Sequence, residues 1–172
     1  MTPLPSAAPA ATPQTALAAL LDSERPASLL LISLNPVPVV EDWCRQHGAS
    51  LHILAETDPL PSLAGLPRVD LAIIADQLEY MDQDRGARLI GLLRNLYTER
   101  LLVLYQAQLA PERLRWPRNG FLALGLKRDA VFRQQEREMV LYSYELARYN
   151  FTRSWNNPRF WANPENWGKY WW

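Results

Sequence analysis

Residues Val69 to Met81 read VDLAIIADQLEYM, and this stretch decides the fold. Its first half, Asp70 to Ala75, is a short unbroken apolar run of the kind that fills a central strand covered on both faces. Its second half turns polar at Asp76, Gln77 and Glu79, where such a strand opens at its carboxyl end onto a cleft. A ligand site is expected there.

Outward from this strand, similar runs recur with helices between them. Ser28 to Leu34 and Leu51 to Ala55 precede it, and Arg100 to Gln106 follows. Leu17, Leu20 and Leu21 recur at helical spacing between Thr15 and Glu24, which Pro26 closes. Pro38 suits the first position of the next helix, whose apolar face carries Val39, Val40, Trp43, Cys44 and His47 before Gly48 stops it. A Pro-rich connection runs through Pro59, Pro61 and Pro67. Beyond the central strand, Asp82 or Asp84 is positioned to cap a helix with a buried stripe at Leu89, Ile90, Leu93, Leu96 and Tyr97. Strand and helix alternate, and the strands are apolar throughout, so the expected fold is α/β with a single, mostly parallel open sheet.

The pattern then changes. Pro111 to Trp116 and Phe121 to Leu126 suit short helical turns, and Lys127 to Arg133 with Met139 to Leu146 suit an antiparallel hairpin at one edge. Val140, Tyr142 and Tyr144 alternate with Leu141, Ser143 and Glu145, although Leu141 prevents a one-sided reading; a helix over 137–150 competes. Three regions are expected: a disordered Pro/Ala-rich leader over 1–14, one domain over 15–150, and a Trp/Asn/Pro-rich tail over 151–172 that packs on it.

Composition limits function. The 172 residues are 48% hydrophobic, enough for one core of useful size. Eighteen basic residues balance eighteen acidic ones, which argues against a nucleic-acid partner. No run approaches the roughly 20 apolar residues of a membrane span, so no membrane partner is expected. The one cysteine, Cys44, excludes an internal disulfide and a multi-cysteine zinc site, and fits a cytoplasmic protein.

The order of elements from Ala27 to Leu146 resembles the class I S-adenosylmethionine-dependent methyltransferases, a Rossmann-like fold whose open sheet ends in an antiparallel hairpin. VDLAIIADQLEYM is similar to that family's fourth strand, and ALGLKRDAVFRQQEREMVLYSYEL to its final helix and hairpin. The resemblance implies S-adenosylmethionine as cofactor, with Glu56 beyond the second strand at the place of the ribose-binding acid. Leu34, Asn35, Glu56, Asp76 and Gln77 would then line the pocket. The family's first loop is glycine-rich, because a missing side chain lets backbone approach the ligand. Here SLNPVPVV contains no glycine, and Pro36 and Pro38 supply no N–H. A phosphate-bearing nucleotide is therefore not expected. The tail resembles that of small uncharacterised bacterial proteins grouped as a domain of unknown function.

The candidate residues carry competing readings. Glu56 is a ribose ligand or a solvated acid at a strand end. Asp76 and Glu79 are a pair of cleft carboxylates or acids at a helix start. Cys44 and His47 at i and i+3 are a thiol–imidazole pair or core packing, and core packing is favoured. His52 reads as structural, and no metal site is expected. Indole rings bury large areas, about 2 to 3 kcal/mol each when fully covered. Trp155 to Trp167 thus read as a lid and Lys169 to Trp172 as an interface, with Trp161, Trp167, Tyr170, Trp171 and Trp172 as candidate interaction residues.

Two functions follow. The glycine-free loop favours a non-catalytic methyltransferase-like domain that binds a protein partner or a second copy of itself and needs no cofactor. The alternative is an S-adenosylmethionine-dependent small-molecule methyltransferase with an atypical loop.

Overall fold

The computed structural model describes residues 12–134 and 136–149. Residues 1–11 of the expected leader and the whole aromatic tail lie outside this range, whereas Thr12, Pro13 and Gln14, expected in the disordered leader, cap and begin the first helix.

Helix α1, Pro13–Glu24, starts with a reciprocal cap: the Thr15 N–H donates to Thr12 Oγ1 and the Thr12 N–H to Thr15 Oγ1. Strand β1, Ser28–Ile32, follows, then α2, Pro38–His47, with Pro38 at its first position and Gly48 ending it at φ 68°. Strand β2 is Ser50–Leu54. The Pro-rich connection contains a helical turn not expected from the sequence, α3, Leu60–Leu63, which buries Leu63. Strand β3, Leu71–Ala75, is buried at every position, and Leu78–Tyr80 forms a 3₁₀ turn after it. Helix α4 is Gln83–Leu92, and the chain continues into a π-helical turn over Leu93–Tyr97. After β4, Arg100–Tyr105, come a 3₁₀ turn at Glu112–Leu114 and α5, Gly120–Ala123. The hairpin β5, Lys127–Gln134, and β6, Arg137–Glu145, leads to α6, Leu146–Tyr149. The competing helix over 137–150 is therefore overturned for Arg137–Glu145, where β-branched and aromatic residues pair with β4.

The strands form one sheet in the order β2-β1-β3-β4-β6-β5. The first four strands pair in parallel, and β6 then runs antiparallel to both β4 and β5. A one-residue bulge at Asp129 interrupts the hairpin ladder between Arg128 and Ala130. Among the described residues, no helix is long and apolar enough to cross a membrane.

Both faces of the sheet carry a core. On one, Leu30, Ile74, Val103 and Tyr105 pack with Leu78, Leu89, Ile90 and Phe121 from the α3, α4 and α5 side. On the other, Leu29, Leu31, Ile73 and Leu104 pack with Leu17 and Leu21 of α1 and Val40, Trp43 and Cys44 of α2. Leu141 belongs to this second core while Tyr142 and Tyr144 belong to the first, which explains why the β6 sequence resists a one-sided reading. The Trp43 indole N–H donates to Asp22 Oδ1 at 2.8 Å and ties α2 to α1.

Three local expectations need correction. His47 is exposed, stacked on the Trp43 ring at 4.2 Å and hydrogen-bonded through Nδ1 with the Trp43 carbonyl. It lies off the buried face, so only Val40, Trp43 and Cys44 of α2 are buried, with Val39 half-buried. Leu96 is 57% exposed, because the π-helical turn shifts the periodicity that the stripe assumes. Asp82 precedes α4 as expected but makes no side-chain cap bond.

Candidate functional site

Strand order reverses between β1 and β3, since β1 leads outward to β2 and the chain then returns to β3 on the other side. In open α/β sheets ligands bind in the crevice that such a reversal leaves beyond the carboxyl ends. A cavity of about 480 Å³ lies there. Ala75, Leu104 and Met139 form its floor, Pro13, Gln14 and Leu17 of α1 one wall, and the loop after β1 another. All belong to, or border, the core under α1 and α2.

The loop takes its shape from its own polar groups. The Ser33 hydroxyl donates to the Asn35 carbonyl at 2.7 Å, and the Leu34 N–H to the Asp76 carbonyl at 3.4 Å. The Asn35 side-chain amide donates to the Asp76 carboxylate. Pro36 and Pro38 offer no donors, and the Val37 N–H is taken by Glu41 Oε1 at 3.2 Å. From Leu34 to Pro38, two N–H groups are thus taken and two positions have none, which leaves few amides to hold a phosphate. Asp76 adopts φ 47°, in the left-handed region that non-glycine residues rarely occupy.

The sequence-predicted residues separate into two groups. Asn35 and Asp76 meet and line the cavity, with Leu34 half-buried between them and the strand end. Gln77 is fully buried and turned to β2, donating through Nε2 to the carbonyls of Glu56 and Thr57 at 3.2 Å each. The Glu56 side chain is exposed and takes the Ser62 hydroxyl; it is not part of the cavity wall.

Asp76 and Glu79 do not face one space. Glu79 is 1% exposed and accepts the Gln106 N–H at 2.7 Å, while its other carboxylate oxygen has no hydrogen-bond partner. Burial raises its pKa to about 7, with the nearby Asp76 charge adding to the shift and backbone N–H donors opposing it. Its place is behind the cavity wall, fixing the backbone at Gln106, which does line the cavity. The Tyr80 pKa is raised by desolvation and by the Asp76 and Glu79 charges.

Sequence reasoning missed Ser33, Gln106, Gln14 and Met139. Gln106 ends a strand as Asp76 does, and the polar residue at that position was the available signal. Gln14 and Met139 come from distant elements and carried none. The Cys44 thiol is buried and its pKa raised by desolvation, so it is not an activated nucleophile. Among the described residues, no cluster of three or more His, Cys, Asp or Glu is placed to hold a metal ion.

Solved structures similar to this chain include proteins described as methyltransferases. The N-terminal domain of EvdMO1, solved in the presence of SAH and D-fucose, is similar at 10% identity and a TM-score of 0.51, over 80% of this chain and 84% of that one. Magnesium protoporphyrin IX methyltransferase (ChlM) from Synechocystis PCC 6803 with bound SAM is similar at 15% identity and a TM-score of 0.50, over 77% of each chain. An rRNA methylase from Escherichia coli matches at 17% identity and a TM-score of 0.45 over 76% of this chain, which spans 62% of that protein. At these identities the likeness is one of fold: the chain has a class I methyltransferase-like, Rossmann-like fold. No curated protein matches the sequence. The model of a family of unknown function, DUF6231, matches residues 11–172, and the chain belongs to that family.

Proposed function

We propose that the protein is an S-adenosylmethionine-dependent methyltransferase acting on a small molecule, with its cofactor in the cavity lined by Asn35 and Asp76. The cavity at the switch point carries this reading. Its volume of about 480 Å³ falls within the range of small-molecule sites, and it has one carboxylate at its mouth and an apolar floor. Structures that share the fold hold SAM in ChlM, and EvdMO1 was solved in the presence of SAH.

S-adenosylmethionine brings a methyl group on a sulfonium, together with an ammonium and one carboxylate, so it carries a net positive charge and no phosphate. A loop poor in free N–H groups suits such a ligand better than it suits a nucleotide. The Asp76 carboxylate is the acid available to a positive group in the cavity, and the Asn35 amide fixes its direction. Leu17, Val37, Leu104 and Met139 exclude water, which strengthens that attraction. Gln14 and Gln106 supply polar groups for orienting an acceptor. Tyr80 stays protonated near neutral pH, since its pKa lies above the ordinary phenol value, so it acts as a hydrogen-bond donor and not as a base.

Calorimetric titration with S-adenosylmethionine and S-adenosylhomocysteine tests this. Micromolar binding is expected, about −8 kcal/mol. No heat, together with no thermal shift at millimolar ligand, overturns it and leaves the chain as a non-catalytic domain whose partners would be sought through Trp161, Trp167, Tyr170, Trp171 and Trp172, all outside the described residues.

A further inference from the structure

A second cavity, of about 390 Å³, lies on the opposite face of the sheet, where the hairpin meets α5. Its floor is aromatic. The Trp116 and Phe121 rings stack at 4.5 Å with an 11° angle between planes, and Phe121 meets Tyr142 at 4.6 Å. The rim is basic, with exposed Arg118 and Arg128 and an Arg133 that is paired with Glu138 at 2.9 Å. Arg128 sits directly across the hairpin from Tyr142. The Tyr142 hydroxyl feels both the Arg118 and Arg128 charges, which lower its pKa against a larger rise from burial, and Glu138, which raises it. Two guanidinium-bearing side chains and a phenol thus line one cavity with an aromatic floor.

We propose that this cavity binds a small planar aromatic ring carrying one carboxylate. Aromatic walls favour a flat ring by offset or edge-on contact. A guanidinium fork matches the two oxygens of a carboxylate. Glu138 stands in the same wall and limits the negative charge the site accepts, so a monoanion fits and a polyphosphate does not. The aromatic lining residues Tyr105, Trp116, Phe121 and Tyr142 belong to the core on the α4 and α5 side, whereas Leu17, Ala75 and Leu104 of the Asn35–Asp76 cavity belong to the core on the α1 and α2 side. The two sites are separate, and this assignment does not depend on the cofactor reading.

The test uses 2-naphthoate, its neutral isostere 2-naphthamide, and adenosine monophosphate as probes, titrated into the full chain and into the double variant Arg118→Ala/Arg128→Ala. Both arginines are exposed, so the variant keeps its fold, which circular dichroism checks. Naphthoate is expected to bind the parent at least tenfold more tightly than the amide, and the double variant to lose that preference while its response to S-adenosylmethionine matches the parent's. Equal binding of naphthoate and amide, or none, overturns the proposal. So does a preference that survives the double substitution, and adenosine monophosphate binding more tightly than naphthoate makes the site a nucleotide site instead.

Discussion

The side chains of Asn35 and Asp76, 41 positions apart in the sequence, are hydrogen-bonded across the crevice between β1 and β3. Asp76 reaches this partner from a left-handed backbone, φ 47°, that asparagine also tolerates. Asp76→Asn should therefore keep the fold, with stability within about 0.5 kcal/mol of the parent, and weaken S-adenosylmethionine binding at least tenfold. Asp76→Val should cost about 1 to 3 kcal/mol of stability, because a β-branched residue is strained at this backbone. Urea denaturation and calorimetry separate the two effects.

Glu79 makes stability depend on pH. Its pKa rises from the ordinary 4.5 to about 7 in the folded protein, so the native state holds a proton that the unfolded chain releases between these values. The contribution is complete below pH 4.5 and is lost as pH rises through 7, a fall of about 3 kcal/mol. Glu79→Gln keeps an acceptor for the Gln106 N–H and cannot ionise. The variant should match the parent near pH 4, exceed it at pH 8, and show a flatter urea midpoint between.

Gly86 lies in α4 against the second cavity's floor. A Cβ there would stand 2.7 Å from Trp116 Cζ2 and 3.1 Å from Leu78. Alanine is the better helix former by about 1 kcal/mol, yet Trp116 is stacked on Phe121 and has little room to yield. Overpacking costs about 1 to 3 kcal/mol, so Gly86→Ala should destabilise by about 1 kcal/mol net, read from the thermal midpoint.

Asp70 organises the amino ends of the strands. Its Oδ2 accepts the N–H groups of Ala27 and Ser28, each at 2.9 Å, and its own N–H donates to the Ser28 hydroxyl at 3.0 Å. Asp70→Ala should cost about 1 to 2 kcal/mol, while Asp70→Asn, which retains an acceptor, should cost less. Chemical denaturation of the pair checks this.

The centre of the sheet was legible because β1, β3 and β4 are buried on both faces and so read as apolar runs; β3 is buried at every position, as LAIIA implies. The hairpin was legible from two runs separated by charge. Asn35 and Asp76 were legible as strand-end polar residues, although nothing local announces that they meet. Gln77 and Glu56 carried the same signal, yet Gln77 turns toward β2 to satisfy two carbonyls, and strand-end position does not encode that choice. Leu96 misled because helical periodicity assumes 3.6 residues per turn, and the chain widens its turn from Leu93 onward. α3 was hidden among prolines, which punctuate a sequence even where one of them, Pro61, sits inside the helical turn.

The bulge at Asp129 sets the chemistry of the second cavity. Side chains alternate along a strand, so Val131 and Arg133 fall on one face and Ala130 and Phe132 on the other. By that alternation alone Arg128 would share the face of Ala130, pointing toward the core under α1. The extra residue resets the count by one, and Arg128 joins Val131 and Arg133 around the aromatic floor. The bulge thus converts an odd–even rule into a basic rim, and the same sequence paired without it, with Asp129 in the ladder, would carry Arg128 on the other side of the sheet.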